Sequence, residues 1–292
     1  MTKFVDYTLN GVSTGAIYAA VALALVLIWR ATRIVNFAQG AMLMFTTYIA
    51  SAVITSTGSY VLGFVVALAT GLVLGAVVER VLIRPVENGP PLNAVIVALG
   101  LYTLLIAVAG MIWSNTPRSF PPAFSIRGYD IGGTRVLFAP NDTFIVLVVV
   151  VVAVGLAALF RYTSLGLQMR AAAFKPEVAQ LLGVRVRRMF TFGWSLAALT
   201  GAIAGVLVAP SVFLAPNNFD PILISGFVAA VLGGLDSPPG AVVGGMVLGL
   251  VLSYVAGYEG DALVPLAALV VLMLVLMVRP TGLFSASKER RV

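Results

Sequence analysis

The sequence predicts an all-α integral membrane protein, a polytopic bundle of about eight full spans plus one short or broken helix. Of its 292 residues, 60% are hydrophobic and only 10% are charged, whereas a soluble domain is about a quarter charged. The apolar runs are long and do not alternate with polar residues, as in membrane-spanning helices. We therefore expect a single transmembrane domain that covers residues 1–292.

Eight apolar runs are long enough to cross the roughly 30 Å hydrocarbon core of a bilayer. A ninth run, residues 222–235, has only about 14 residues, which is too short to cross at about 1.5 Å per residue. Whether this segment crosses fully or re-enters stays open. The full spans are predicted at residues 9–29, 37–55, 60–78, 92–113, 143–160, 189–209, 240–258 and 263–278.

The cations are distributed unequally between the two sides of the predicted bundle. If the N-terminus lies outside, fourteen Lys and Arg residues fall on the inner side and four fall on the outer side. This bias follows the positive-inside rule, so the net charge of +7 is explained by membrane topology and not by nucleic-acid binding. We expect a multi-pass protein of the cell (inner) membrane, with its N-terminus outside and its C-terminus in the cytoplasm.

Several function classes are disfavoured by what the sequence lacks. It contains no Cys and no His, so no metal site is predicted. It contains no GxxxxGK(S/T) phosphate loop, so we expect neither an ATP site of that type nor enzymatic activity in this chain. The proposed spans contain no Lys, Arg, Asp or Glu at mid-depth, which disfavours a proton-driven carrier. A permease driven by separate ATPase subunits is favoured over a stand-alone secondary carrier.

The longest polar interruption, residues 161–188, is predicted to be a cytoplasmic coupling loop that contains a short helix. Pro176 suits the first helical position, and Glu177 lies in the first turn, where the helix dipole favours an anion. Gly183 suits a left-handed C-terminal cap. A helix of about two turns is marginal alone, so it must be held by membrane helices or by a partner. The alternative is a basic loop that only fixes the topology.

We interpret this helix as the docking site of a cytoplasmic ATPase. Val178, Leu181 and Leu182 lie on one apolar face at helical spacing, and we expect them to fill a groove on that partner. Arg170 and Lys175 flank the helix. The predicted coupling residues are Arg170, Lys175, Glu177, Val178, Leu181, Leu182 and Gly183.

Polar residues near predicted helix breaks form a candidate substrate pathway: Asn36, Gln39, Ser225 and Asp236. Broken helices expose backbone groups that can hold a polar substrate. Helix capping is the alternative; it is favoured for Asp236 and equally supported for Asn36 and Gln39. The Asn-Phe pairs at Asn36 and Asn218 each precede a helix from opposite sides, which predicts an inverted repeat.

Small residues at four-residue spacing predict close approach of helix backbones. The predicted packing positions are Gly201, Gly205, Gly240, Gly244, Gly245 and Gly249.

Three stretches of the sequence resemble the permease subunits of ABC importers for branched-chain amino acids, close to the H-type subunit. They are LNGVSTGAIYAAVALALVLIWRATRIVNFAQGAM, RAAAFKPEVAQLLGV and AAVLGGLDSPPGAVVGGMVLGLV. The resemblance covers essentially the whole chain in order and spacing. It implies a type II-importer-like fold that translocates branched-chain or related neutral amino acids. Relatives in the same family serve urea and short amides, so these substrates remain alternatives.

The resemblance also implies a set of partners. They are a second permease subunit, identical or different, two cytoplasmic ATPase subunits and an extracytoplasmic substrate-binding protein. ATP and Mg would be held by the ATPase subunits, and no cofactor is expected in this chain.

Overall fold

A computed structural model describes residues 2–87, 89–131 and 134–284. Within these residues the chain forms eleven α-helices, and a π-helical segment, Val78–Ile83, continues α3. The two-residue strands β1 (Asp130–Ile131) and β2 (Thr134–Arg135) pair antiparallel. The helices are α1 (Thr2–Thr32), α2 (Gln39–Thr57), α3 (Tyr60–Val77), α4 (Pro91–Trp113), α5 (Pro140–Tyr162), α6 (Ser164–Phe174), α7 (Pro176–Leu181), α8 (Val186–Val208), α9 (Asp220–Gly233), α10 (Pro238–Tyr258) and α11 (Val264–Val278).

In the described part of the chain, eight helical stretches are long and apolar enough to span a membrane, and α9 is a shorter apolar helix. This confirms the polytopic all-α membrane fold with eight full spans and one short helix. The apolar stretches of α1 and α8 are 83% buried, whereas that of α11 is 6% buried. α1 and α8 therefore form the centre of the bundle, and α11 lies at its periphery.

The helices form two sets with equivalent packing, and the two sets run in opposite directions across the bundle. α1 packs along α10 as α8 packs along α3, and the pair α2 and α3 corresponds to the pair α9 and α10. The beginning of α8 lies against the end of α1, because the α-carbon of Gly193 faces the methyl group of Ala31. The two central helices are therefore antiparallel, which is the packing that an inverted repeat produces.

The six predicted packing glycines all lie where a side chain would collide with a neighbouring element. A Cβ at Gly245 would meet the backbone of Ala19, and one at Gly249 would meet the backbone of Gly15. These two contacts let α10 approach α1 closely along its length. A Cβ at Gly201 would meet the amide of Gln39, at Gly205 the hydroxyl of Thr47, at Gly240 the carbonyl of Gly233, and at Gly244 the carbonyl of Ala229.

The two ends of the bundle differ in charge. We define the basic face as the end where α1, α3, α5 and α9 finish and where α6 and α7 lie. Phe284 also lies there, because its backbone N–H donates to the Gly233 carbonyl at 3.2 Å. The start of α1 lies at the opposite face, where the Tyr7 and Tyr258 ring centroids are 5.1 Å apart. Among the described residues, eleven Lys and Arg lie at the basic face: Arg30, Arg33, Arg80, Arg84, Arg161, Arg170, Lys175, Arg185, Arg187, Arg188 and Arg279.

The remaining described cations lie at the opposite face: Lys3, Arg118, Arg127 and Arg135. Lys288, Arg290 and Arg291, which were also predicted to lie inside, fall outside the described residues. α1 begins at the opposite face, whereas the chain after α11 lies at the basic face.

The connection between α8 and α9 turns back into the bundle before α9 begins. The first part of the connection stays near the opposite face, since the Tyr48 hydroxyl donates to the Leu214 carbonyl at 3.4 Å and the neighbouring Thr47 lies against Gly205, near the end of α8. The Tyr102 hydroxyl, halfway along α4, donates to the Asp220 carboxylate at 2.7 Å. α9 thus begins near mid-depth, and its 14 residues continue to the basic face for about 21 Å. The connection and α9 together cross the bundle once.

Candidate functional site

α6 and α7 fold back onto the start of α8 at the basic face. The Thr163 hydroxyl accepts from the Gly166 N–H at 3.0 Å and caps α6. A Cβ at Gly166 would meet the Leu159 carbonyl, so a glycine is needed where α6 packs on the end of α5. A small second core joins the three helices; its buried members are Met169, Ala172, Ala179, Val186 and Met189.

The cap positions of α7 agree with the sequence prediction. α7 begins at Pro176, and Gly183 has a φ of +83°, a left-handed conformation that glycine adopts without strain. Its N–H donates to the Gln180 carbonyl at 2.9 Å. The helix ends at Leu181, so Leu182, which was predicted to lie on its apolar face, follows it.

The side chain that anchors α7 to the bundle is Ala179, which is 3% exposed. The apolar residues singled out in the sequence point away instead: Leu181 is 87% exposed, Leu182 79% and Val178 47%. We name these three residues the α7 surface. The sequence prediction missed Ala179 because its small side chain contributes little to an apolar pattern. Ala179 is nevertheless the buried residue of α7.

The polar residues predicted to flank α7 are also exposed. Arg170, Lys175 and Glu177 are all solvent-accessible, and the Arg170 guanidinium contacts the Gly166 carbonyl at 3.4 Å. An exposed apolar patch rimmed by charged residues is typical of a protein interaction site.

A buried ion pair joins α3 to α8 beside this unit. Glu79 lies in the π-helical segment and is 1% exposed. Arg84 donates to both of its carboxylate oxygens, at 3.1 and 2.9 Å, and the Thr191 hydroxyl donates to one of them at 2.7 Å. Arg84 also donates to the Arg187 carbonyl at 3.4 Å. Both carboxylate oxygens therefore have partners, and the carboxylate fixes α3 to the first two turns of α8.

The span predicted at residues 60–78 ends one residue before Glu79, so sequence reasoning missed this network. The available signal was the spacing of the Glu and Arg residues five positions apart, which matches a π-helical turn. π-Helical segments occur frequently at functional sites. In the following loop, burial and the neighbouring Glu79 carboxylate raise the pKa of Glu87.

Two of the predicted pathway residues lie together inside the bundle. Asn36 is 1% exposed and Gln39 is fully buried. The Asn36 side-chain amide donates to the Gln39 side-chain oxygen at 3.1 Å, and the Asn36 oxygen accepts from the Ala38 N–H at 3.0 Å. The Gln39 amide donates to the Ala197 carbonyl of α8 at 3.2 Å. This pair thus holds the start of α2 against the middle of α8, and its polar atoms face protein.

The other two predicted pathway residues lie elsewhere. Ser225 is buried on α9 and donates to the Pro221 carbonyl at 2.9 Å. Asp236 forms an ion pair with Arg33 at the basic face, and both side chains are about half exposed. The expectation that Asp236 caps α10 is wrong: Ser237 is the cap, because its hydroxyl accepts from the Gly240 N–H at 3.0 Å.

Two clefts open at the opposite face. The first, which we name the α4 cleft, has a volume of about 320 Å³, and the second has a volume of about 340 Å³. Neither is lined by any of the four predicted pathway residues. The α4 cleft is lined by Ile106, Asn115, Pro117, Ala215, Pro216, Asn217 and Asn218. The second cleft is lined by Tyr7, Asn10, Leu137, Ser253, Ala256, Gly257 and Asp261.

These features define a multi-pass helical membrane protein with a basic face that carries the exposed α7 surface and an opposite face that bears two clefts. The family model described as the branched-chain amino acid transport system permease component matches residues 7–279. The chain belongs to this family.

Individual relatives match the chain almost from end to end. The high-affinity branched-chain amino acid transport system permease protein LivH of Salmonella typhimurium is 29% identical over 304 residues, covering 99% of this chain and 98% of that protein. The corresponding protein BraD of Pseudomonas aeruginosa is 28% identical over 302 residues, with the same coverage. Among solved structures, PsaBC from Streptococcus pneumoniae in complex with Fab matches with a TM-score of 0.53 and 13% identity, covering 94% of this chain and 91% of that one. This likeness supports the fold alone.

Proposed function

We propose that this chain is the membrane-spanning permease subunit of an ABC importer that moves branched-chain or related neutral amino acids into the cytoplasm. Its energy would come from ATP hydrolysed on separate subunits. The family match over residues 7–279 and the names of the full-length relatives support the substrate class. The observation that carries the proposal is the α7 surface, an exposed apolar patch on a helix that is itself fixed to a central membrane helix.

The basic face is proposed to be the cytoplasmic face. Eleven of the fifteen described cations lie there, and such an excess sets the orientation of membrane proteins. In this orientation the N-terminus is outside, α7 is available to a cytoplasmic ATPase, and the two clefts face an extracytoplasmic substrate-binding protein. The complete importer would contain a second permease subunit in the inner membrane and two cytoplasmic ATPase subunits that hold ATP and Mg.

The contacts define a route by which an ATPase could move the bundle. A displacement of α7 acts on α8 through Ala179, Val186 and Met189, which share one small core. The Glu79 network couples the same part of α8 to α3. Deeper in the bundle, the bond between Gln39 and the Ala197 carbonyl couples α8 to the start of α2. A displacement of α7 at the cytoplasmic face is therefore transmitted through α8 to the start of α2, which lies against the middle of α8.

A pull-down followed by reconstitution tests this function. We expect ATPase subunits to co-purify with the chain, and proteoliposomes that contain the complex and the binding protein to accumulate L-leucine only when ATP is present. Urea offered in the same assay tests the amide alternative. Uptake of leucine by the chain alone without ATP would instead establish a stand-alone carrier and contradict the proposal.

A further inference from the structure

Asp220 places a carboxylate near mid-depth, between the two faces of the bundle. It accepts a hydrogen bond from the Tyr102 hydroxyl at 2.7 Å, and Tyr102 is the twelfth residue of the 23-residue α4. Asp220 lies outside all of the predicted spans, and it reaches mid-depth because the connection between α8 and α9 turns inward. Among the residues that the structure describes, no cation forms an ion pair with Asp220.

A carboxylate at this depth is costly unless a function retains it. One hydrogen bond from a neutral hydroxyl satisfies only part of its capacity, since an ionised carboxylate has about four acceptor positions. The remaining acceptor capacity is available to a ligand that carries a positive charge.

The α4 cleft lies beside this pair, on the side of the opposite face. Ile106, which lines the cleft, lies one helical turn from Tyr102 on the same side of α4. Asn217 and Asn218, also in the lining, are separated from Asp220 by Phe219. The Tyr102–Asp220 pair does not line the cleft but lies about one helical turn deeper in the bundle. The volume of the cleft, about 320 Å³, is at the lower end of the roughly 300–1,000 Å³ typical of small-molecule sites.

Asp220 and the cleft beside it together offer partners for the two charged ends of an α-amino acid. The carboxylate of Asp220 is a charge-assisted acceptor for an ammonium group. Asn115, Asn217 and Asn218 line the cleft. The Asn218 amide donates to the Phe213 carbonyl at 2.8 Å, and the amides of the other two supply the N–H donors that a carboxylate requires. Ile106 and Pro117 provide an apolar surface for an aliphatic side chain.

We propose that Asp220 binds the ammonium group of the transported amino acid, and that the α4 cleft is its access site from the extracytoplasmic side. This inference rests on the proposed function and names the polar group of the pathway. It replaces Asn36, Gln39, Ser225 and Asp236 as the first contact of the substrate.

The test compares Asp220→Asn with Glu259→Gln in the reconstituted complex. Both substitutions replace a carboxylate with its amide, but Glu259 is exposed at the opposite face and lines neither cleft. We expect Asp220→Asn to lower the rate of ATP-dependent L-leucine uptake roughly tenfold, as for the loss of one charge-assisted contact of about 1.4 kcal/mol. Glu259→Gln should keep the wild-type rate. The amount of assembled complex, measured by gel filtration, should be equal for all three proteins.

The outcomes separate this inference from the function on which it rests. Wild-type uptake by Asp220→Asn, or a loss that only follows a smaller amount of assembled complex, overturns the ammonium site and leaves the importer proposal intact. If the assembled wild-type complex does not take up leucine, the proposed function fails and the site fails with it.

Discussion

Leu181→Glu is expected to reduce ATP-driven uptake by at least tenfold while leaving the protein folded in the membrane. The Leu181 side chain is 87% exposed, so its replacement removes almost no contact within this chain. In the proposed complex the same side chain fills an apolar groove on the ATPase, and truncation or charging of such an anchor costs about 2 kcal/mol or more. Transport should be lost because the ATPase no longer binds α7.

Gln180→Glu is the matched control for this substitution. It introduces the same charge on the neighbouring residue of α7, but Gln180 lies on the side of the helix away from the α7 surface. We expect Gln180→Glu to transport leucine at close to the wild-type rate. The measurement is uptake in proteoliposomes together with the amount of co-purified ATPase. Wild-type uptake by Leu181→Glu, or equal losses in both variants, would argue against docking through the α7 surface.

Glu79→Ala is expected to destabilise the folded protein by about 3 kcal/mol, as for the removal of one partner from a buried ion pair. The substitution leaves the Arg84 guanidinium, which is 24% exposed, without its carboxylate, and Thr191 loses its acceptor. The attachment of α3 to the start of α8 should weaken, so we also expect looser coupling between ATP hydrolysis and uptake. Unfolding in mixed detergent micelles measures the first effect.

A double-mutant cycle with Arg84→Ala isolates the pair. Because the two side chains share both hydrogen bonds, the double variant should cost clearly less than the sum of the two single variants. Additive costs would show that the two residues act independently and that the network does not join the two helices.

Much of the fold could be predicted because hydropathy and helix length report the bilayer directly. Eight spans and the short α9 were visible in the sequence, and so were the cap positions Pro176 and Gly183, since capping depends on local backbone chemistry. The α7 surface was expected to face a partner, and its exposure is compatible with that expectation. The sequence alone left the choice open, because an apolar face on a short helix can face the bundle or a partner. The role of Ala179 as the anchor of α7 depends on the distance between α7 and α8, which the sequence does not give.

The residues of the candidate pathway depended on depth, which the linear sequence does not encode. Asp220 is adjacent to Pro221 in an apparently external turn, and only the hydrogen bond to Tyr102 places it near mid-depth. Asp236 and Ser237 are neighbours with equal capping propensity. Asp236 pairs with Arg33, which is 203 positions away, and Ser237 caps α10. Such choices arise from tertiary contacts.

Labelling of a single cysteine at position 180 tests the central claim, that α7 lies in the cytoplasm where an ATPase can bind it. The chain has no native cysteine, so Gln180→Cys provides the only thiol. In intact cells a membrane-impermeant maleimide should leave this thiol unmodified, and it should react fully once the membrane is permeabilised. Modification of the thiol in intact cells would place the basic face outside and contradict the importer assignment.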